Sequence, residues 1–475
     1  MDLPAVRKRV SDLLDAGDLG GAFACVEPHR AELTRSRELA FLWMDLLSIA
    51  RGRPTALEEA RAVLERWPDD PTLVLTANAA LIGLAEQRPL DEPPLHDHGP
   101  AHLAAAAAER CLAALADRPA PASGEAPLAE RREVGGFLWG QRANALRLCG
   151  PREDEAAQRA FERAVDIDPD NAGWWFDLGL LHKWRGRFKR GYDCNLKALA
   201  RLDEADPRWR AAQWNLAICA TAIGDGDVAG GVWKRLGMPA ALTEASGMPL
   251  VEGLPPMQVR VLSRGTGRGL GSAVPDAATV FEVVWVAPLS PCHGVVQSPT
   301  FRDAPIDYGD VVLWDGAPVH VTETSDGPVP CFALLEILRR GDERRFSFVA
   351  LQTDAGDVAG LEETLPEGTR VFVHRERVER GCPTCASGAG GPHVHAPEAP
   401  PPEARVAYGK VIVPAAADLR TFRVHFERTS RKGGHVVMAL PELYEALGET
   451  RRAGQEHRAW RGIEKTALRK GLVAG

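Results

Sequence analysis

Apolar positions recur at helical spacing throughout the first half of the chain. From Asp2 to about Pro239, apolar residues return every three or four positions, which places them on one face of successive helices. Breaks rich in Pro and Gly separate these stretches, as expected for the connections between helices. The pattern predicts an all-α helical array over residues 1–240, in which each helix buries its apolar face against its neighbours.

The pattern changes to period two after about residue 250. Alternation in MQVRVLS, TVFEVVWVAPL, RRFSFVALQT and TRVFVHRERV predicts β-strands. We assign RVAYGKVIVP and RTFRVHFERT to further strands, and YGDVVLWDGAPVHVT to two short strands joined by a turn at Asp315-Gly316. DVAGLEETL predicts a short helix between strands. The sequence therefore predicts an α+β, mostly antiparallel β domain over residues 250–440.

The end of the chain differs from the rest in its charge. The chain has a net charge of −8, yet the segment from Arg420 onward holds 12 Lys and Arg against 6 Asp and Glu. We predict a basic helical tail over residues 441–475 that docks through a few apolar side chains. The net negative charge disfavours nucleic acid and membranes as partners, although a basic tail that binds nucleic acid is an alternative. The candidate docking residues are Leu443, Leu447, Trp460, Ile463 and Leu468.

A period of 34 residues relates two neighbouring stretches of the helical array. Small and large residues at offsets 0, 4 and 7 recur 34 positions later, and Pro169 follows the first set. The two sets are Ala157, Phe161, Ala164 and Gly191, Asn195, Ala198. This pattern resembles the tetratricopeptide repeat (TPR), in which small residues lie where two helices cross. The resemblance is best from Arg152 to Arg235, and it implies a solenoid whose groove binds a protein or peptide partner.

The resemblance directs attention to side chains that could line such a groove. One subclass of these repeats clamps carboxylates with Lys, Asn and Arg, for which Asn195, Lys197, Arg210 and Asn215 are available, without a clear clamp pattern. Trp is frequent in the same region, where we expect most of the rings in the core and one or two in a groove. These residues are Trp174, Trp175, Trp184, Trp209, Trp214 and Trp233.

A cysteine- and histidine-rich insert lies between two predicted strands, at residues 380–398. Its spacing is C-x2-C-x7-H-x-H, and thiolate and imidazole together suit tetrahedral Zn²⁺. The insert is rich in Gly, Ser and Pro, so a structural zinc ion would supply the folding energy that it lacks. The predicted ligands are Cys382, Cys385, His393 and His395.

Two alternatives to the zinc site remain open at this stage. The two cysteines could share a metal with residues from elsewhere in the chain, or the insert could be a metal-free loop. The candidate distant ligands are Cys292, His293, Cys331 and His374.

The repeats, together with the lack of a catalytic constellation, indicate a protein–protein interaction scaffold or adaptor. The alternative is a metal-dependent or cysteine-dependent enzyme whose repeats recruit substrate, with Glu376, Glu379 or Glu398 as a general base. Cys292 and His293 are adjacent in PCHG, and adjacent residues of a strand point to opposite faces. We therefore do not expect them to form a nucleophile–base pair.

Composition places the chain in a reducing compartment. It has no apolar run long enough to span a membrane and no signal-peptide core, and seven of its nine cysteines are scattered. We therefore predict a cytoplasmic protein, and the dominance of Arg, Ala and Pro indicates a bacterial source. The W-x-x-P-L and G-D-V-V motifs, at Trp285 and Gly309, faintly resemble an uncharacterised bacterial β-rich domain, which implies no activity.

Overall fold

The computed structural model describes residues 3–53, 55–86, 99–117, 125–243, 246–262, 281–301, 304–324, 327–354, 356–378, 405–432 and 436–469. The helices are α1 (Leu3–Asp15), α2 (Leu19–Val26), α3 (Arg37–Ala50), α4 (Ala56–Arg66), α5 (Pro71–Glu86), α6 (Pro100–Asp117), α7 (Glu125–Cys149), α8 (Asp154–Ile167), α9 (Ala172–Trp184), α10 (Phe188–Leu199), α11 (Pro207–Ile223), α12 (Gly226–Arg235), α13 (Asp357–Gly360), α14 (Leu419–Lys432), α15 (Pro441–Ala446) and α16 (Thr450–Arg469). The strands are β1 (Ala240–Leu242), β2 (Pro249–Val251), β3 (Met257–Leu262), β4 (Phe281–Ser290), β5 (His293–Val296), β6 (Val311–Thr324), β7 (Gly327–Arg339), β8 (Arg344–Gln352), β9 (Arg370–Val378), β10 (Arg405–Val413) and β11 (Val436–Ala439).

Helices α1 to α12 follow one another as six helix pairs. The second helix of each pair returns beside the first, and from α3 onward the first helices α3, α5, α7, α9 and α11 also contact one another in order. We call the surface formed by α1, α3, α5, α7, α9 and α11 the first-helix face. Because each pair is amphipathic, stacking buries the apolar faces against one another, and one buried cluster runs from Val10 of α1 to Cys194 of α10.

Hydrogen bonds of constant sequence separation tie the pairs together. Four pairs of hydrogen-bonded side chains are 33 residues apart, which is close to the period of 34 seen in the sequence. Each therefore links one repeat to the next. The bonded pairs are Arg37–Asp70, Glu109–Arg142, Asn144–Asp177 and Tyr192–Asp225. The described helices form a TPR-like helical repeat, as the sequence predicted.

Side-chain caps fix where three helices of the last two pairs, α9, α11 and α12, begin. Asn171 accepts a hydrogen bond from the Gly173 amide at 3.0 Å, and Asp206 accepts one from the Arg208 amide at 2.8 Å. Asp225 caps α12 in the same way. Each cap satisfies an amide that has no partner within its helix, and removing such a cap costs about 1 kcal/mol.

Strands β3 to β7 form a closed barrel in which each strand pairs with the next along the chain. Because five is an odd number, the first and last strands of this meander run in the same direction, and β3 pairs with β7 in parallel. The inward side chains of successive strands fill the interior. Among the buried residues of this interior are Val259, Val284, Val286, Trp314 and Leu334.

The predicted turn at Asp315-Gly316 is wrong, because β6 runs without interruption from Val311 to Thr324. The pairing of β6 with β7 shifts between Trp314 and Pro318, so the strand bends there but does not reverse. The Asp315 carboxylate bonds to side chains of the helical array, and this tertiary contact overrides the turn propensity of the Asp-Gly pair.

A second sheet follows the barrel, with strand order β11-β8-β10-β9 and antiparallel pairing throughout. The helices α14 and α15 cover one face of it, with Phe348, Phe422 and Leu443 in the shared core. On the other face, Ile463 of α16 packs against Val349. The coarse prediction of a helical-repeat part followed by a β part with antiparallel sheets is therefore confirmed.

The strand predicted for RTFRVHFERT is wrong, because these residues belong to helix α14. Phe422 and Phe426 lie four residues apart on the buried side and stack at 6.2 Å, whereas Val424 between them is 43% exposed. Asp418 accepts a hydrogen bond from the Thr421 amide and so starts the helix. The alternation of Phe, Val and Phe therefore has the sequence pattern of a strand. The buried residues, however, recur every four positions, as they do in a helix.

The last helix pair and the barrel share a single apolar core. Leu216 and Trp233 of the array pack in one cluster with Cys292, Leu313 and Leu335 of the barrel. The short hairpin β1–β2, which the sequence did not predict, joins the same cluster. The barrel is therefore packed directly on the end of the helical array. Among the described helices, none is long and apolar enough to cross a membrane.

Candidate functional site

The predicted zinc ligands Cys382, Cys385, His393 and His395 lie outside the described residues. The strands that flank the insert are described, and they pair in antiparallel fashion up to Val378 and Arg405. The two ends of the insert are therefore held side by side, as the sequence predicted for the arms of a hairpin. The zinc site itself stays a prediction.

The distant residues that could have completed a looser metal site are spread over two different sheets. His293 begins β5, Cys292 directly precedes that strand and Cys331 lies in β7, all in the barrel, whereas His374 lies in β9 of the second sheet. Over the described residues, no group of three or more His, Cys, Asp and Glu side chains could hold a metal ion.

Cys292 and His293 are linked through the Ser290 hydroxyl. Ser290 Oγ lies 2.5 Å from His293 Nδ1 and 3.6 Å from Cys292 Sγ, and all three residues are buried. Burial raises the pKa of the Cys292 thiol to about 11 and lowers the pKa of His293 to about 4. A buried thiol with a raised pKa is a poor nucleophile. The cluster therefore fits a packed junction better than a catalytic dyad.

A buried ion pair joins the helical array to the barrel. Lys183 Nζ on α9 donates to Asp315 Oδ1 on β6 at 2.6 Å and to Asn215 Oδ1 on α11 at 2.8 Å. Trp184 Nε1 donates to the second carboxylate oxygen of Asp315 at 2.7 Å. The Lys183 side chain is only 2% exposed and that of Asp315 only 10%. The first-helix face therefore binds a carboxylate at this end, and the barrel supplies it.

The close approach of the barrel also depends on Gly316. A Cβ atom at this position would lie 2.2 Å from Trp214 Nε1 on α11, which is far shorter than a van der Waals contact. Gly316 therefore allows the strand to lie against the Trp214 ring while Asp315 reaches Lys183. Sequence reasoning missed this contact because the two partners are 132 residues apart.

The side chains considered for a carboxylate clamp have separate roles. Asn215 takes part in the Lys183–Asp315 site, whereas Asn195 is buried and donates to the Gly191 carbonyl within its own helix. Lys197 lies 4.1 Å from the centre of the Trp175 ring. Arg210 is exposed. These four residues therefore do not converge on one ligand, and Lys183 supplies the cation instead.

The tryptophans divide between the core and the junction with the barrel. Trp233 is fully buried, and Trp174 is 9% exposed. Trp184 and Trp214 contact Asp315 and Gly316. The tryptophans that reach the first-helix face at this end therefore meet the protein's own barrel.

Polar side chains continue along the first-helix face beside the junction. Arg147 on α7 is buried, lies 4.8 Å from the centre of the Trp184 ring and donates to Glu86 at 3.3 Å. Asn144 donates to Asp177 at 2.8 Å, and burial raises the pKa of the Asp177 carboxyl. These side chains bind one another, so the polar groups in the middle part of the face already have partners within the protein.

The opposite end of the first-helix face is open. A cavity of about 740 Å³ lies between α1 and α3 and reaches the first turn of α5 at Thr72. Phe41 and Leu42 of α3 form its apolar floor, and the exposed side chains of Arg7 and Ser11 stand along its rim on α1. Such a volume lies in the range of protein sites that bind a small ligand or a few peptide residues.

Comparisons with known proteins return tetratricopeptide-repeat structures. No family profile matches the chain, and no curated protein matches it. An assembly chaperone of RpL4 covers 50% of this chain and 89% of its own, at 15% identity and a TM-score of 0.36. A thermophilic TPR protein of Thermus thermophilus covers 46% and 98%, at 18% identity and a TM-score of 0.31. MamA covers 49% and 88%, at 14% identity and a TM-score of 0.25. Because these identities and TM-scores are low, the repeat assignment rests on this chain itself. Its basis is the series of helix pairs and the hydrogen bonds between side chains 33 positions apart.

Proposed function

We propose that this protein is an interaction scaffold that binds a protein or peptide partner through the open end of its first-helix face. The observation that carries the proposal is the cavity of about 740 Å³ between α1, α3 and α5. Repeat solenoids commonly use an extended surface of this kind for recognition. Among the residues that the structure describes, Asp315 fills the far end of the same face, whereas the cavity is open to a partner.

The proposal can be tested by selecting peptides from a random display library on the full-length protein. Ser11→Trp places a large ring in the cavity, whereas Arg9→Trp adds the same ring to an exposed position of α1 that does not line it. We expect the selected peptides to bind the wild type and Arg9→Trp equally, and Ser11→Trp at least about tenfold more weakly. Selection of no peptide, or equal binding to both variants, would count against the proposal.

We propose further that Cys382, Cys385, His393 and His395 hold one structural Zn²⁺. The proposal is supported by the ligand types and their spacing, and by the pairing of β9 with β10 up to the ends of the insert. In this role the ion would supply folding energy to an insert whose sequence is rich in Gly, Ser and Pro. The division of the chain at residues 1–240, 250–440 and 441–475 stays a prediction.

A further inference from the structure

We propose that the outer side of helix α16, together with Arg428 of α14, binds the phosphate backbone of double-stranded DNA without preference for sequence. This surface belongs to the second sheet and its helices, so the inference does not depend on the cavity between α1 and α3. It is carried by exposed arginines on α16 and α14, and by the carboxylates of the same segment, which bond to other groups of the protein.

Three arginines lie on the outer side of α16. Arg451, Arg458 and Arg461 are exposed, and spacings of seven and three residues return them to one side of a helix. The opposite side of α16 packs on the sheet through Trp460 and Ile463. The three guanidinium groups therefore face solvent from a helix that is held in place by its apolar side.

The carboxylates of the same segment bond to groups of the protein itself. From Arg420 onward the sequence contains 6 Asp and Glu, all of them in the part of the chain that the structure describes. The remaining one after the five with partners, Glu464, is half-buried and forms no ion pair with a described residue. The five with partners are Glu427 with Tyr444, Glu442 with the Ser347 amide, Glu445 with His457, Glu449 with Arg423, and Glu456 with the Leu440 amide.

This use of the carboxylates leaves positive charge in excess, because the same segment holds 12 Lys and Arg. The ion pair between Glu427 and Arg452, at 3.7 Å, holds α14 beside the first turn of α16. Arg420 lies near the Asp418 carboxylate, which offsets its charge. The exposed cations without an ion pair to any described residue include Arg428, Arg451, Arg458 and Arg461.

Arginine in such a row suits the phosphates of a nucleic acid backbone. Its planar guanidinium can donate two parallel hydrogen bonds to phosphate oxygens. The ten residues from Arg451 to Arg461 rise about 15 Å along the helix, and a DNA duplex of that length carries about nine phosphate charges. The row is therefore long enough to contact several phosphates at once.

The outer side of α16 offers little to other kinds of ligand. Between Arg451 and Gly462, which the structure describes, Gly454 and Gln455 accompany the arginines, and no large apolar side chain shares this side. Trp460 packs towards the sheet, so it is not available to stack on the bases of a single strand. A helix that inserts into a membrane surface needs an exposed apolar face. Contact with the backbone of a duplex, which carries no sequence information, is therefore favoured.

The test measures fluorescence anisotropy of a short labelled DNA duplex with the full-length protein over a range of salt concentrations. Arg458→Gln/Arg461→Gln removes two cations from the proposed surface, and Arg9→Gln/Arg110→Gln removes two exposed arginines of the helical array. Both variants have the same net charge. We expect the first to weaken binding at least about tenfold at low salt and to reduce the slope of log K against log salt by about 1.8, whereas the second should stay within about twofold of the wild type.

A second duplex of unrelated sequence should bind as well as the first, and circular dichroism should show the same helix content in both variants. Equal responses of the two variants, or no binding of either duplex at low salt, would overturn the inference. Binding of polyglutamate or of phosphatidylserine vesicles in place of the duplex would also overturn it, because the surface would then recognise an acidic protein or a membrane.

Discussion

Lys183 shows how a single side chain can fix the arrangement of two large parts of the protein. Its ammonium group is nearly removed from water and makes its bonds with Asn215 and Asp315. A charge in such a position is tolerated only when its partners are well placed, because burial removes the hydration of both ions. The pair therefore specifies one docking position of the barrel on the array.

Removing the carboxylate of this pair should destabilise the protein strongly. Asp315→Asn leaves the Lys183 charge buried without a counterion, and we expect the free energy of unfolding to fall by about 3–5 kcal/mol. Urea unfolding at pH 7 measures this change. The control is Asp193→Asn, which breaks an exposed bond to Lys189 and should change the stability by less than about 1 kcal/mol. Equal effects of the two variants would mean that the buried pair has no special role.

Three half-buried or buried histidines should make the fold sensitive to acid. Burial lowers the pKa of His182, His293 and His374 to about 4, from an ordinary value of 6.5. Between these two values the unfolded chain binds more protons than the folded one, so stability is lost as the pH falls from about 6.5 towards 4.

The urea midpoint measured from pH 7 to pH 4.5 tests this expectation. His374→Phe removes one titrating group, and the ring contact with Phe301 at 5.5 Å can persist. The pH dependence of the midpoint in this variant should fall by about one third, because one of three groups is gone. A midpoint that is independent of pH in the wild type would contradict the assignment of these histidines as neutral in the folded state.

At the scale of the element, the sequence predicts well wherever burial follows the local pattern. The amphipathic period of TPR-like helices such as α8 and α10 is local, so their existence and their repeat spacing could be predicted. The alternating strands β3, β4 and β8 were predicted for the same reason. In α14 the alternation of apolar residues hid a helix, because Val424 is apolar but exposed.

The site was harder to predict than the elements. The Lys183–Asp315 contact depends on how the barrel docks, and no local pattern contains that information. One signal was present: Lys183 follows the buried Gly179 by four residues, which places a cation on an apolar helix stripe.

The helical assignment of α14 can be tested by two substitutions. Phe426 is 3% exposed, so Phe426→Ala should lower the free energy of unfolding by about 3–5 kcal/mol. Val424→Ser should change it by less than about 1 kcal/mol, because Val424 is 43% exposed. In a strand, residues 424 and 426 would share one face. Similar losses of stability in the two variants, measured by urea unfolding, would therefore indicate a strand and not a helix at these residues.

At the scale of the whole molecule, the barrel serves as the end cap of the helical array. A terminal repeat needs a cover for its apolar face. Here Cys292, Leu313 and Leu335 of the barrel meet Leu216 and Trp233 of the last helix pair. The array and the barrel are therefore expected to unfold together at this junction.

Truncation tests the cap. A chain that ends at residue 238 exposes Leu216 and Trp233, and we expect the amides of α11 and α12 to exchange with deuterium much faster than in the full chain. Helices α3 to α6, remote from the junction, provide the internal control and should keep their protection. Unchanged protection in α11 and α12 would show that the barrel is not needed as a cover.

The predicted zinc site also belongs to this scale, because it would close the hairpin that ends in β9 and β10. Elemental analysis of the purified, untagged protein should find about one zinc ion per chain. Cys382→Ser/Cys385→Ser should lose the metal and unfold at a lower temperature. The control is Cys25→Ser/Cys149→Ser, which removes two partly exposed cysteines elsewhere and should keep the zinc. Absence of zinc from the wild type, or its retention by the first variant, would refute the site.

The separation of Lys183 from Asp315 also has a consequence for the time course of synthesis. The two residues are 132 positions apart, and ribosomes add roughly 5–20 residues per second, so Asp315 is made about 7–26 s after Lys183. During that interval the last repeats lack both their counterion and their apolar cover. We therefore expect the final helix pair of the nascent array to be less ordered, or covered by another protein, until the barrel has emerged from the ribosome.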